Sequence, residues 1–313
     1  MLDTQAPLDL KIVHGRGMNS RSEVYKLPAD SPEMERLTLQ HRLWKLMEGD
    51  LYPSEVAPQV ERLLRPKDGQ RRSVLDLGSG SGVWAAEIAK SFPSVEVVGF
   101  DLVRNANIIV PQNCRFVIGD ITTGLSQFEG QFDLIHCRAV IGHLMKPREA
   151  IVTISKCLKP GGMLIFADGD IHVLDEHKEA ARSATIGEDN HGKSWFGRWM
   201  AEWCKQTCAD GQYCMEDRVG WLREDTQFEQ VEYWKYLSPI GWDGDGIRNG
   251  EEIGKIMTRN TVAFTRACKP NFLAAGYPPD VVETWISQID EEANGKASRV
   301  YCVWHAAVAF KRT

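Results

Sequence analysis

Short apolar runs alternate with helical patterns through the middle of the chain. Two helices are predicted in this region, at 83–91 and 147–158. Strands separated by helices are typical of a parallel sheet that is covered on both faces. We therefore expect a doubly wound α/β core over residues 70–170, with strands at 74–77, 95–100, 115–118, 132–136 and 163–167.

The flanking segments follow other patterns. Residues 1–30 show little periodicity and are expected to wrap the core. A helix is predicted from Ser31 to Glu48, because Pro32 and nearby acids are typical of a first helical turn. Residues 169–194 are polar and predict a loop with some helix. The remaining pattern predicts helices at 195–208, 215–224, 251–275 and 279–293, and strands at 228–237 and 299–310.

These elements predict one domain over residues 1–313, with a seven-stranded, Rossmann-like sheet and helices on both faces. Its expected parts are an N-terminal helical cap (1–69), a cofactor-binding core (70–170), and substrate or lid helices with closing strands (171–313). The last part includes a helical insertion before the last strand.

Composition excludes several classes of partner. The 313 residues carry a net charge of −6 without a basic run, so we expect no nucleic acid and no acidic membrane surface as partner. We expect no membrane-spanning helix and no secretory signal. Eight cysteines are too sparse for a disulfide scaffold, which indicates a reducing compartment. The cytoplasm is the expected location, with the nucleus open for a regulatory protein.

A glycine-rich turn, GSGSG, follows the first predicted core strand. Its glycines are Gly78, Gly80 and Gly82, and Val83 stands where the dinucleotide fingerprint requires its third glycine. This difference argues against a dinucleotide-dependent oxidoreductase. Asp76 places negative charge beside the turn, which suits a cationic or amino-bearing ligand better than a diphosphate.

Two more acids follow the next strands. Asp101 ends VVGFD, where a carboxylate can bind both hydroxyls of a ribose. Asp120 ends FVIGD, where it could accept a hydrogen bond from an adenine amino group. The three acids and the glycine-rich turn together predict a nucleoside site.

The ordered set DLGSGSG, VVGFD, IGD, FDLIHCR and LKPGGMLIFAD resembles the class I S-adenosylmethionine-dependent methyltransferases over residues 72–170. The resemblance implies S-adenosylmethionine as cofactor, with Asp76 and the glycine-rich turn at its amino-acid end. It implies Asp101 at the ribose and Asp120 at the adenine, whose ring Phe100 and Ile121 would flank. The full set implied for the core is Asp76, Gly78, Ser79, Gly80, Gly82, Asp101, Leu102, Asp120, Ile121 and Arg138.

The segment YKLPADSPEMERLTLQHRLW and the stretch IHCRAVIGHL resemble fungal LaeA-like methyltransferases. This resemblance implies that Tyr25 and His41 lie near the methyl-donor end, although His41 also fits a packed helix position. That family includes metabolite methyltransferases and regulators of secondary metabolism, so two functions stay open. One is O- or N-methylation of a small aromatic or alkaloid-like metabolite. The other is a regulator that acts through a protein partner or homodimer, or methylates a protein.

A general base is required only if the acceptor must lose a proton. Candidates follow the fourth and fifth core strands, because open α/β sheets bind ligands at the carboxyl ends of their strands. His143 is the first candidate and Asp168 the second. His136 is a third, although its strand-end position also fits a hydrogen bond to the backbone.

The sequence also contains spaced tryptophans and several patterns that resemble metal sites. Trp195, Trp199 and Trp203 are spaced by four residues, which predicts a buried helix stripe, whereas Trp234 and Trp242 are open as walls for an aromatic acceptor. No metal is expected. The cysteines in 204–214 lack paired zinc spacing, and 242–252 lacks the glycine and glutamate of a calcium loop. DGDIH, at 168–172, indicates a loop near the substrate more than a metal site.

Overall fold

The computed structural model describes residues 10–67, 69–207, 215–295 and 298–313. Two short strands, β1 (Leu10–Val13) and β2 (Arg16–Asn19), form a separate antiparallel hairpin. The main sheet consists of β3 (Ser73–Leu77), β4 (Glu96–Asp101), β5 (Cys114–Ile118), β6 (Phe132–Arg138), β7 (Leu158–Asp175), β8 (Phe228–Pro239) and β9 (Val300–Lys311). Their lateral order is β5-β4-β3-β6-β7-β9-β8. This confirms the predicted seven-stranded α/β fold.

Helices cover both faces of this sheet. They are α1 (Ser31–Glu48), α2 (Ala57–Leu64), α3 (Val83–Ser91), α4 (Pro147–Cys157), α5 (Trp195–Thr207), α6 (Met215–Glu224), α7 (Gly250–Ala274) and α8 (Pro279–Ala293). The predicted α1 is confirmed. Asp30 caps it by accepting from the Glu33 amide, and Gly49 ends it with a left-handed φ of 96°. No helix among the described residues is long and apolar enough to cross a membrane.

The longest strand differs from its prediction. The apolar run at 163–167 marks only the middle of β7, which extends to Asp175 because β9 pairs with it antiparallel. The predicted loop from residue 169 is therefore wrong as far as Asp175. A register shift between Gly169 and Val173 interrupts the pairing. Residues 170–172 lie within this irregularity. Such irregularities are common beside active sites.

The N-terminal region also contains more structure than its weak periodicity predicted. Beyond the β1–β2 hairpin, the Arg16 guanidinium binds the Asp30 carboxylate through two hydrogen bonds of 2.7 and 2.8 Å. The Ala29 amide donates to the Gly17 carbonyl. These contacts fasten the segment before α1 against the hairpin, so that Tyr25 is carried to the carboxyl ends of the core strands.

Strand order places the site. Strands β4 and β5 continue outward from β3 on one side, and β7 follows β6 on the other, with all five parallel. The loops after β3 and β6 therefore diverge to opposite sides, and a crevice opens between them at the carboxyl ends of these two strands. Helices α1, α5, α7 and α8 share one apolar cluster above this edge, which includes Trp44, Trp199 and Phe272.

Candidate active site

The glycine-rich turn after β3 needs its glycines for two reasons. Gly78 and Gly80 have φ values of 65° and 49°, in the left-handed region that glycine adopts without strain. A Cβ on Gly78 would lie 2.2 Å from Cγ2 of Val140, and one on Gly80 would lie 3.0 Å from Cδ1 of Leu37. A cavity, called the first cavity below, lies beside this turn and is lined by Gly78, Ser79 and Gly80. The turn therefore presents its backbone to this cavity without intervening side chains.

Asp101 ends β4 at the same cavity. Its Oδ2 accepts from the Gly80 amide at 2.8 Å, and its Oδ1 accepts from the Val103 amide at 3.1 Å. Burial raises the pKa of Asp101 to about 6, although these backbone donors oppose the shift. The carboxylate thus joins the glycine-rich turn to the strand where a ribose is expected.

Asp120 and Ile121 lie farther along the cavity wall, together with Leu102. Oδ1 of Asp120 accepts from the amide and the hydroxyl of Thr122 at 2.8 and 2.7 Å. These contacts hold the carboxyl group in a turn beside the cavity. The role of Asp120 and Ile121 at the adenine end stays a prediction.

Two residues of the implied cofactor set lie elsewhere. Gly82 is the N-cap of α3. A Cβ there would lie 2.8 Å from the Phe116 ring, so a glycine is needed at this position for packing. Phe100 is fully buried and packs edge-on against Phe128 at 5.5 Å. Neither is among the described residues that line the first cavity. The expectation that Phe100 flanks an adenine ring is not supported by this placement.

Asp76 and His136 form a buried pair across β3 and β6. Nδ1 of His136 lies 2.7 Å from Oδ1 of Asp76, and the imidazole stacks on Trp84 with ring centres 3.8 Å apart. Burial raises the pKa of Asp76 to about 7 and lowers the pKa of His136 well below its usual value. Both shifts favour a pair without net charge. Oδ2 of Asp76 has no hydrogen-bond partner among the described residues.

A second polar group closes the cavity from the side of α1. Arg138 donates from Nη2 to Nδ1 of His41 at 2.9 Å, and Nε2 of His41 lies 3.4 Å from the Glu87 carboxylate. Burial and the Arg138 charge lower the pKa of His41 to about 3. Nη1 of Arg138 finds no hydrogen-bond partner in the described part of the chain. His41 and Arg138 both line the first cavity, as does Tyr25.

A second cavity adjoins the first. The two cavities share a wall of five residues, namely Tyr25, Leu37, Gln40, Ala139 and His143. The empty space of the second cavity, open mouth included, is about 820 Å³. Ala139 has a φ of 54°, so the backbone is strained where β6 gives way to the shared wall.

The three candidate bases have different surroundings. His143 lies at the shared wall, 5.0 Å from the Tyr25 ring, and burial lowers its pKa to about 4. Asp168 lines the second cavity and accepts from the Gly142 amide at 3.1 Å, and burial raises its pKa. His136 lines the first cavity but is absent from the described lining of the second. Sequence reasoning had no means to separate these surroundings.

The tryptophan stripe is confirmed. Trp195, Trp199 and Trp203 are all buried on α5. Trp203 also lines the second cavity. The sequence left undecided whether Trp234 and Trp242 form walls for an acceptor. Both are half-buried, and neither is in the described lining of either cavity. The other aromatic walls come from Phe196, Phe264 and Trp304.

The metal prediction concerns residues that are only partly described. Cys208 and Cys214 lie outside the described residues. Among the described residues no cluster of histidine, cysteine and acidic side chains has the arrangement of a metal site. No disulfide joins the described cysteines, which are all buried.

Comparison with known proteins identifies the class. The profile of the methyltransferase domain family matches residues 49–237, more than half of the chain. The chain is 30% identical over 293 residues to the secondary metabolism regulator laeA of Coprinopsis cinerea, which covers 91% of this chain and 70% of that protein. The chain therefore belongs to the methyltransferase domain family, and its cofactor is S-adenosylmethionine.

Two further similarities are more distant. Methyltransferase pytC of Aspergillus terreus is 26% identical over 291 residues, which cover 90% of this chain and 81% of that protein. A solved structure of phosphoethanolamine N-methyltransferase 2 from Haemonchus contortus with S-adenosyl-L-methionine is 17% identical. Its TM-score is 0.44, and the match covers 89% of this chain and 57% of that chain.

Proposed function

We propose that the protein transfers the methyl group of S-adenosylmethionine to an oxygen or nitrogen of a small aromatic metabolite in fungal secondary metabolism. The observation that carries this proposal is the aromatic second cavity beside the first. A flat acceptor would pack between Trp203, Phe264 and Trp304 while its reacting atom reaches the wall shared by the two cavities. The similarities to laeA and pytC support the metabolic setting.

The first cavity fits the cofactor in charge and in shape. S-adenosylmethionine carries a sulfonium, an ammonium group, a carboxylate and a nucleoside. The unpartnered Oδ2 of Asp76 suits a cationic group, and the unpartnered Nη1 of Arg138 suits a carboxylate. We assign the remaining contacts to Tyr25, His41, Gly78, Ser79, Gly80, Asp101, Leu102, Asp120 and Ile121.

The cofactor supplies an activated methyl group on a positively charged sulfur. The residues of this chain then have to orient the acceptor and exclude water, which can provide a large part of the acceleration. Leu37 and Tyr25 belong to the shared wall that would align the acceptor with the methyl group. The aromatic walls beyond them would keep the acceptor dry.

For a hydroxyl acceptor we assign His143 as the base. Its lowered pKa makes the imidazole a neutral but weak base at pH 7, and the proton that it accepts then leaves to solvent. Asp168 acts as a positioning residue, because it holds the amide of Gly142 directly before His143. His136 receives no proton in this scheme, since it is not in the described lining of the second cavity, where the acceptor would bind.

The proposal is tested with S-adenosylmethionine that carries a labelled methyl group. The protein is incubated with this cofactor and a fungal metabolite extract, and the labelled products are separated by mass. We expect label in a small aromatic compound, and an Asp101→Ala variant should give none. Label that appears only in protein would contradict a metabolite acceptor.

A regulatory function is the second candidate, and the extended similarity to laeA favours it. In that case the methylated acceptor is a protein, or methylation accompanies association with a protein partner. The labelling experiment separates the two functions when the extract is divided into small-molecule and protein fractions.

A further inference from the structure

The second cavity has a polar end formed by α7. Asn260 and Thr261 both line it, and their exposed fractions are 5% and 1%. Neither residue is in the described lining of the first cavity. This end of the second cavity therefore lies outside the first cavity.

Arg36 fixes the orientation of the Asn260 amide. The guanidinium binds both oxygens of Glu33 at 2.6 and 2.9 Å, and its Nη1 donates to Oδ1 of Asn260 at 3.2 Å. Because Oδ1 is the accepting atom, Nδ2 is the amide's donor side. In the described part of the chain the buried hydroxyl of Thr261 has no hydrogen-bond partner. This hydroxyl and the amide of Asn260 can therefore both donate to a ligand.

The charges around this end favour an uncharged ligand. Arg36 is the cationic side chain in the described lining, and Glu33 already neutralises it. Asp168 and Asp170 also line the cavity, with Arg218 at 3.5 Å from Asp168 and His305 at 3.1 Å from Asp170. Because Arg36 and Arg218 are already paired with acids, an additional carboxylate would be buried without an unpaired cation. A carbonyl, hydroxyl or ether oxygen can accept from the two donors without that penalty.

We propose that Asn260 and Thr261 bind an uncharged oxygen of the methyl acceptor in the second cavity, outside the first. The acceptor is then an aromatic compound with at least two oxygen or nitrogen functions, one that is methylated and one that these residues bind. This inference rests on the proposed metabolite methyltransferase function. It assigns substrate selection to α7, outside the cofactor core.

The test compares three phenols on the full chain saturated with S-adenosylhomocysteine, with binding measured by calorimetry. The probes are 4-hydroxyacetophenone, 4-ethylphenol, which replaces its carbonyl by CH₂, and 4-hydroxybenzoate, which adds a charge. The variants are Asn260→Asp and Thr261→Val. Thr284→Val on exposed α8 is the matched control, since its hydroxyl bonds only the Asp280 carbonyl.

We expect the unmodified protein to bind 4-hydroxyacetophenone about three- to tenfold more tightly than 4-ethylphenol, and 4-hydroxybenzoate least tightly. Asn260→Asp should abolish the preference for the carbonyl because it replaces a donor by an acceptor. Thr261→Val should reduce the preference, and Thr284→Val should leave it unchanged. Affinity for S-adenosylhomocysteine should be equal in all four proteins, which also verifies folding.

Two results would overturn the inference in distinguishable ways. If the phenols bind but the carbonyl preference is absent, or survives in both cavity variants, the subsite on α7 is wrong and the aromatic acceptor stands. If S-adenosylhomocysteine binds while none of the three phenols does, the aromatic acceptor itself is wrong, and the subsite falls with it.

Discussion

Substitution of Gly78 by alanine should damage both the fold and the cofactor cavity. Gly78 has a φ of 65°, and its new Cβ would lie 2.2 Å from Cγ2 of Val140, which lines that cavity. Gly130 offers a matched control, since its φ is 64° and a Cβ there would have nothing within 4 Å. The comparison separates the backbone strain from the steric clash.

The expected free-energy changes follow from these contacts. A left-handed alanine costs about 1–2 kcal/mol, which is the whole expected effect of Gly130→Ala. The clash at Gly78 adds about 1–3 kcal/mol of overpacking, so Gly78→Ala should lower the free energy of unfolding by about 2–5 kcal/mol. Val140→Ala alone should cost about 2 kcal/mol through lost burial and a small cavity.

The double variant Gly78→Ala, Val140→Ala isolates the clash. Because Cγ2 is then absent, the combined loss should fall short of the sum of the single losses by about 1–3 kcal/mol. Urea denaturation measures all four proteins and the Gly130→Ala control. Calorimetry should also show weaker S-adenosylmethionine binding in Gly78→Ala. Equal losses for Gly78→Ala and Gly130→Ala, or a cycle additive within about 0.5 kcal/mol, would refute the reasoning.

Three further predictions concern the active site. Asp101→Ala should weaken S-adenosylmethionine binding at least about tenfold in calorimetry, because charge-assisted hydrogen bonds contribute about 1.5–3 kcal/mol each; unchanged affinity would remove Asp101 from the site. The raised pKa of Asp76, about 7, means that the carboxyl takes up a proton as the pH falls below that value. Affinity for the cationic cofactor should therefore fall as the pH drops from 8 to 6, and a flat profile would contradict this. His143→Gln should lower kcat by about 10²–10⁴ with an acceptor that loses a proton, while cofactor affinity stays constant; an equal kcat would assign the base elsewhere.

Much of the core could be predicted because its signals are local. Strands that are buried on both faces are mostly apolar, so β3 and most of β6 could be predicted despite the buried polar pair of Asp76 and His136. The start of α1 is likewise encoded nearby, in Asp30 and Pro32. The chain after Ala167 was harder, since the polar residues that end β7 are held in the sheet by β9, which lies far along the sequence.

The sequence by itself determined the half of the site that we assign to the cofactor. Left-handed glycines and strand-end acids occupy fixed places relative to their own strands, so a turn such as 78–82 is encoded locally. The half that we assign to the acceptor was decided only by tertiary structure. Phe196, Asn260 and Trp304 come from α5, α7 and β9, and none belongs to a motif that marked the cofactor site. Their proximity depends on how the helices pack over the sheet edge. A cavity forms where segments that are distant in the sequence pack together and leave space between them, so no local pattern encodes it.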